Sequence, residues 1–112
     1  MLYLLQILAA VLTIAVGLFA IFWPRSVQGF TGLKAESGRG VTEIRAVMGG
    51  FFVALGLAPL LLFNPIAYKM LGMAYIGVAA VRAVSIVVDR SYTRSNLISL
   101  VTEVILGVLL VL

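Results

Sequence analysis

The chain carries four long runs of apolar residues, and their length restricts the possible folds more than any other feature. The runs extend approximately over residues 2–23, 41–63, 66–88 and 96–112. A helix needs about 20 apolar residues to cross the hydrocarbon core of a bilayer, and lipid tolerates only helices or closed barrels as spanning structures. The runs do not alternate polar with apolar residues as barrel strands do. The sequence therefore predicts an all-α integral membrane protein, whose single domain, residues 1–112, is an antiparallel bundle of four transmembrane helices.

The composition agrees with lipid as the main solvent and argues against several functional classes. Hydrophobic residues make up 63% of the chain, charged residues make up 11%, and the mean hydropathy is +1.22. Because there is no cysteine or histidine, disulfides and the usual ligands of zinc, haem and iron–sulfur clusters are missing. We therefore expect no metal site and no cofactor. The net charge of +4 is not carried by a soluble domain, so the expected partner is the lipid bilayer and not nucleic acid.

Basic residues are concentrated beside two of the three connections. In a four-span protein residues 24–40 and 89–95 lie on the same side of the membrane, and they hold five of the eight lysines and arginines. Cytoplasmic loops carry an excess of such residues. The sequence therefore predicts a multi-pass protein of the inner (plasma) membrane, with both loops cytoplasmic and both termini outside. The glycine-rich first loop is predicted to be a flexible connection at the membrane surface.

Each predicted helix carries a stripe of polar or small residues at helical spacing. Residues three, four and seven apart share a face, and in lipid such faces turn towards neighbouring helices. The four stripes are Gln6, Ala10, Thr13, Gly17 and Ala20; Glu43, Ala46, Gly50 and Ala54; Tyr68, Tyr75, Arg82 and Asp89; and Asn96, Ser99, Glu103 and Gly107. The opposite face of the second helix carries Arg45, Gly49 and Gly56, which predicts contact with another helix of the bundle or of a second subunit.

Four charged residues are predicted to lie within the membrane: Glu43, Arg45, Arg82 and Glu103. Arg82 lies six residues before the end of the third helix, and Glu103 lies seven residues after the start of the fourth. These two helix ends are expected at the same membrane surface, because the helices are antiparallel neighbours. At about 1.5 Å per residue they reach the same depth and are expected to pair. Glu43 is expected to reach Arg82 from the second helix. Arg45 then points away, towards a lipid phosphate, the first loop or another subunit.

This cluster has two interpretations. In the first, it is a cytoplasmic-facing polar pocket in which Arg82 is the partner of an anion or of a proton relay, and Glu43 and Glu103 act as acids. The pocket would be lined by Gln6, Thr13, Tyr68, Tyr75, Ser85, Asn96 and Ser99. In the second, it is a structural lock that fixes the register of three helices. Two acids balance two arginines, which favours the lock.

The stretch that opens the second helix resembles a known family. Glu43, Arg45, Ala46, Gly49 and Gly50 form a Glu-x-Arg-Ala-x-x-Gly-Gly pattern. Further similarity lies at Leu55–Gly56, Arg82, Ser85–Asp89, Asn96 and Glu103. Together these residues resemble the bacterial four-helix membrane family catalogued as domain of unknown function 4345, although an aromatic residue is more usual at Met48. The resemblance covers essentially the whole chain. It implies the four-helix fold and the importance of Glu43, Arg45, Arg82 and Glu103, and it implies no activity.

A weak internal similarity relates the two halves of the chain. The segment Val41-Thr42-Glu43-Ile44 recurs as Val101-Thr102-Glu103-Val104, and the same alignment places Gly77 opposite Gly17. A duplicated pair of helices explains this similarity, and so does chance in a restricted alphabet of residues.

Two classes of function fit the sequence best. The first is a small transporter or channel built as a homo-oligomer, because the charged and tyrosine residues face inward. The second is an accessory or assembly subunit of a larger membrane complex, because the loops are short and the second helix has two faces of small residues. An enzyme would depend on Glu43, Glu103, Tyr75 and arginines for acid–base chemistry, and it is the least favoured class. No catalytic residue is predicted.

Overall fold

The computed structural model describes the whole chain, residues 1–112, and contains only helices and their connections. Four helices are long and apolar enough to span a membrane: α1 (Leu2–Phe22), α3 (Gly38–Leu62), α4 (Pro65–Val88) and α5 (Arg94–Val111). A short helix, α2 (Pro24–Thr31), follows α1. The predicted all-α architecture with four spans is confirmed, and every predicted end lies within three residues of the observed one.

Tight connections make successive spans antiparallel. Between α3 and α4 the chain reverses at Phe63, which has φ 51°. The side chain of Asn64 then accepts a hydrogen bond of 2.9 Å from the backbone N–H of Ile66, and Pro65 occupies the first turn of α4. Thr93 caps α5 in the same way by accepting from the N–H of Asn96 at 3.2 Å. Both termini and the 63–64 turn therefore lie on one side, here called the terminal side, and residues 23–37 and 89–93 lie on the other, here called the loop side.

The prediction of a wholly flexible first loop is wrong, because residues 24–31 form α2. Pro24 stands in its first turn, where the missing N–H costs nothing. Gly32 ends it with φ 75°, a left-handed conformation that glycine adopts without strain. Val27 is buried and packs with Ala20 of α1 and Ile44 of α3. The proline and glycine flanking α2 were the signals in the sequence that indicated this helix.

The four spans are arranged as two hairpins that share one packing motif. The first hairpin pairs α1 with α3, and the second pairs α4 with α5. A Cβ atom added at Gly17 would lie 2.7 Å from the carbonyl oxygen of Gly49, and one added at Gly72 would lie 2.9 Å from that of Gly107. Such close approach of backbones through glycine is typical of helix packing in lipid.

The motif extends to the residues four positions further along each helix. In the first hairpin, Gly17 approaches Val53 and Gly49 approaches Ile21. In the second hairpin, Gly72 approaches Val111 and Gly107 approaches Ile76. The two hairpins therefore share one local packing geometry, as expected if a pair of helices was duplicated. The register read from the sequence is wrong, since the counterpart of Gly17 is Gly72 and not Gly77, which has no atom within 4 Å of an added Cβ.

The prediction of which face of α3 turns towards the bundle is also wrong. Gly49 and Gly56 are buried against α1, whereas Ala46, Gly50 and Ala54 are exposed. Residues Ile44–Phe51 form a π-helix, whose i→i+5 hydrogen bonds change the spacing of residues that share a face. The buried residues Ile44 and Gly49 are accordingly five positions apart. The second face of α3 thus makes its contact within the bundle.

The two hairpins meet at the terminal side and diverge towards the loop side. Ala9, Ala10, Tyr68, Leu71 and Leu110 form a buried core at the terminal side, to which α1, α4 and α5 all contribute. α3 contacts α4 through its Phe52–Leu62 part, while its π segment packs mainly on α1. At the loop side the hairpins are bridged by contact between α2 and α5. This divergence opens a cleft between the hairpins.

Candidate functional site

Three adjoining cavities form a cleft between the hairpins, here called the inter-hairpin cleft. The deepest has a volume of about 110 Å³ and is lined by Thr13, Phe51, Phe52, Leu55, Leu71, Ala74, Tyr75, Val78 and Glu103. The middle one, of about 730 Å³, is lined by Thr31, Ala74, Gly77, Val78, Val81, Arg82, Ser85 and Asn96. The outermost, of about 510 Å³, is lined mainly by polar residues of α2, the 89–93 loop and α5. Ala74 and Val78 are shared by the first two cavities, and Thr31, Arg82 and Asn96 by the last two, so the three cavities are neighbours.

Arg82 and Glu103 form a two-point ion pair on one wall of the cleft. Nε of Arg82 donates to Oε1 of Glu103 at 2.7 Å, and Nη2 donates to Oε2 at 2.8 Å. The pair links α4 to α5, as the sequence predicted. The side chain of Glu103 is 13% exposed and that of Arg82 is 32% exposed. The carboxylate is therefore largely enclosed, while the guanidinium still faces the cleft.

Asn96 holds the other end of the guanidinium and ties it to the loop. Its Oδ1 accepts from Nη1 of Arg82 at 2.8 Å. Its Nδ2 donates to the backbone oxygen and to Oγ of Ser91, both at 3.1 Å. The amide is thus oriented by its neighbours, and the position of Arg82 is coupled to the conformation of the 89–93 loop.

Arg82 retains hydrogen-bonding capacity that the protein does not use. A guanidinium has five N–H donors, and the three hydrogen bonds to Glu103 and Asn96 use one donor each. One donor on each terminal nitrogen is left, and Arg82 lines both the middle and the outermost cavity. A polar group that enters the cleft would meet these two donors.

The floor of the cleft is a hydrogen-bonded pair of hydroxyl groups. Thr13 of α1 donates its proton to the carbonyl oxygen of Ala9 at 2.8 Å, so Tyr75 of α4 is the donor in the 2.5 Å bond between Tyr75 and Thr13. A second bond between the hairpins runs from Nε2 of Gln6 to the carbonyl oxygen of Leu109, at 3.2 Å. Together they join the hairpins on the terminal side of the charged pair.

The remaining residues predicted to line a pocket are divided between the cleft and the core. Ser85 lines the middle cavity, where it donates to Asp89 at 2.6 Å, and Ser99 lines the outermost one. Tyr68 lies in the buried core of the terminal side, with its ring edge-on to Tyr3. Gln6 also lies there, beyond the floor of the cleft. Neither Tyr68 nor Gln6 belongs to the pocket.

Glu43 and Arg45 do not join the ion pair, so the predicted cluster of four charges is wrong. Glu43 pairs with Arg39 one helical turn earlier and has a side chain 54% exposed. Arg45 is exposed and forms no hydrogen bond or ion pair with another side chain. Ile44 and Gly49 are the buried residues of the π segment, and Glu43 and Arg45 lie on either side of Ile44 with their side chains at the surface. Only Arg82 and Glu103 remain as charges of the candidate site.

Several residues of the cleft were not expected from the sequence. Phe51 and Phe52 of α3 line the deepest cavity, and Thr31 of α2 lines the middle one together with Arg82. Aromatic residues in an apolar helix carry no signal that separates a cleft wall from a lipid-facing surface. Thr31 was missed because α2 was missed.

The fold and the site together define a polytopic helical membrane protein with a polar cleft between two similar hairpins. The whole chain, residues 1–112, matches the family described as Domain of unknown function (DUF4345), and the chain belongs to that family. The resemblance seen in the Glu43–Gly50 stretch is thereby confirmed. No curated protein and no solved structure matches the chain. The family description assigns no activity.

Proposed function

We propose that the chain is the protomer of a small homo-oligomeric transporter, and that its substrate binds in the inter-hairpin cleft. The observation that carries the proposal is Arg82, which faces the cleft with two unused donors from a helix that is long and apolar enough to span a membrane. A buried charge is costly in lipid, and ionisable residues there commonly mark pathways of ions or substrates. A purely structural ion pair would not need a cleft beside it.

The repeat architecture supports the same proposal. In many transporters the substrate site lies near the middle of the membrane, at the interface between structural repeats. Here the cleft lies between the two hairpins that share the glycine motif. Glu103 is the tenth of the 18 residues of its helix, so it would lie close to the middle of a membrane that this helix spans.

The core of the terminal side favours a transporter over a channel. Ala9, Ala10, Tyr68, Leu71 and Leu110 are each at most 4% exposed and close the bundle beyond the floor of the cleft. The cleft is therefore open on one side only, as in one state of an alternating-access cycle.

An accessory role in a larger complex is the second candidate, and the exposed face of α3 favours it. Arg45 has no partner within the chain, and Ala46, Gly50 and Ala54 are exposed beside it. Small residues allow close approach of another helix in lipid. In this case the ion pair would serve as a lock within the protomer.

Native mass spectrometry of the protein purified from its membrane in mild detergent distinguishes the two candidates. We expect a homo-oligomer that retains a small molecule, and we expect that molecule to be lost from the double variant Arg82→Leu/Glu103→Leu. The double variant is a suitable comparison because it removes the donors without leaving a charge unpaired. A complex of fixed stoichiometry with other proteins, and no bound small molecule, would instead establish the accessory role.

We further propose that the loop side is cytoplasmic and the terminal side lies outside, which single cysteines test directly because the chain has none. Ser37 lies at the start of α3 on the loop side and is exposed, and Phe63 is 86% exposed on the terminal side. In intact cells an impermeant maleimide should label Phe63→Cys and should label Ser37→Cys only after permeabilisation. The reverse pattern would contradict the orientation inferred from the basic residues.

A further inference from the structure

We infer that the substrate of the cleft is an amphipathic anion, and that Glu103 takes up one proton when the anion binds. The inference rests on the proposed function of the cleft and adds the chemical class of its substrate. It follows from three features of the site: the free donors of Arg82, the apolar walls beside them and the charge balance of the pair.

The unused N–H donors of Arg82 suit an anion. A guanidinium presents its donors in a planar fork that matches carboxylate and phosphate oxygens. The unused donors of Arg82 lie on its two terminal nitrogens. Glu103 is the only acid that lines any of the three cavities, and both of its oxygens are already turned to Arg82. A carboxylate or phosphate is therefore the complement that the site lacks.

The walls next to Arg82 suit an apolar chain. The middle cavity brings Arg82 together with Val78 and Val81 of α4, which are both exposed. The deepest cavity continues this surface with Phe51, Phe52 and Leu55. A molecule with its anionic end at Arg82 can place its chain along these residues, reached either from the cleft mouth or from the surrounding lipid.

The charge balance of the pair requires compensation for the incoming anion. With both groups ionised, the Arg82–Glu103 pair is neutral, so a bound anion would give the site a net charge of −1 within the membrane, which is unfavourable. Protonation of Glu103 restores neutrality and frees the Nε and Nη2 donors for the anion. In this step the anion enters, one proton released by the aqueous buffer binds a carboxylate oxygen of Glu103, and Arg82 keeps its charge.

No other group near Glu103 can supply this compensation. From α4, Arg82 and Tyr75 face it, and Tyr75 is neutral and already donates to Thr13. α1 contributes Thr13, α3 contributes Phe51 and Phe52, and α2 contributes Thr31, none of which carries charge. On α5 itself the polar neighbours are Asn96 and Ser99. The proton is therefore assigned to Glu103.

The anion site and the proton uptake are both tested by calorimetric titration of octanoate into phosphatidylcholine nanodiscs that contain the protein. Comparison of two buffers with different ionisation enthalpies counts protons, and we expect uptake of about one proton per octanoate at pH 7. Binding should weaken up to about tenfold per unit of rising pH, because proton uptake becomes harder. Empty nanodiscs correct for partition into lipid, and octanol should show no saturable binding.

Two variants and a second lipid show which part of the inference holds. Glu103→Gln should bind octanoate without proton uptake and with little dependence on pH, whereas Arg82→Leu/Glu103→Leu should not bind it. Binding of octanoate without proton uptake by the unaltered protein would overturn the role of Glu103 and leave the cleft as a binding site. Equal binding by the double variant, or of octanol, would overturn the anion site. Phosphatidylglycerol in the nanodiscs should compete with octanoate if a lipid headgroup is the natural anion, and its failure to compete would indicate a free amphiphile.

Discussion

Replacing Glu103 with alanine is expected to lower the free energy of unfolding by about 3–5 kcal/mol, because Arg82 would remain in the bundle without its counter-charge. Asn96 would retain one hydrogen bond to the guanidinium, and an amide does not neutralise it. The effect is measurable as a shift in denaturant-induced unfolding in mixed micelles. Arg82→Leu/Glu103→Leu should recover much of the loss, since no charge is then left unpaired.

Glu43→Ala supplies a matched control for this prediction. It also removes a glutamate that is paired with an arginine, but its pair with Arg39 lies at the surface with both side chains more than half exposed. Exposed pairs contribute little, so we expect a change within about 0.5 kcal/mol. If the double variant at the Arg82–Glu103 pair were no more stable than Glu103→Ala, the interaction would not be the source of the loss.

Alanine at Gly49 is expected to destabilise the protein by about 1–3 kcal/mol, the usual range for an overpacked interior. The added Cβ would lie 3.2 Å from the carbonyl oxygen of Gly17 and 3.2 Å from the backbone nitrogen of Ile21. Backbone atoms cannot move aside as a flexible side chain can, so α1 and α3 would have to separate. Gly107→Ala should have a comparable effect in the second hairpin, where the carbonyl oxygen of Gly72 and the nitrogen of Ile76 lie at the same distances.

Two neighbouring glycines serve as controls for this pair of variants. The nearest atom to a Cβ at Gly50 is 3.8 Å away, and at Gly77 nothing lies within 4 Å. Alanine favours helix over glycine, so Gly50→Ala and Gly77→Ala should be neutral or slightly stabilising. Thermal unfolding of all four variants in one detergent gives the comparison. Equal losses at Gly49 and Gly50 would show that helix propensity or flexibility, and not the close contact, governs this segment.

The polar stripes of three helices could be read from the sequence because lipid excludes polar groups. Thr13, Tyr75 and Glu103 turn inward as predicted, since each would otherwise lose its hydrogen-bond partners in hydrocarbon. The pairing of Arg82 with Glu103 followed from their equal depth on adjacent helices. Once a residue is assigned to a helix, its need for a hydrogen-bond or ion-pair partner therefore predicts whether its side chain faces the bundle or the lipid.

The face of α3 could not be read in the same way. Both of its faces carry glycine or alanine, and its charges at Glu43 and Arg45 lie near the surface, where water reaches them. The choice between the faces depends on the steric fit of Gly49 and Gly56 against α1. It also depends on the π segment, which has no single-residue signature. The wrong prediction for Glu43 follows from the wrong choice of face.

The sequence by itself determined that the helices suit a lipid environment and that there are four spans, because hydropathy and the length of the apolar runs fix both. It also determined the Arg82–Glu103 ion pair, because an unpaired charge is costly in lipid. The tertiary structure alone decided how the helices combine into two hairpins and where those hairpins part. In lipid, apolar side chains gain little hydrophobic free energy from helix association, so the arrangement depends on shape complementarity between backbones at a few glycines. The same contacts join the helices within each hairpin and leave the space between the hairpins open at Arg82.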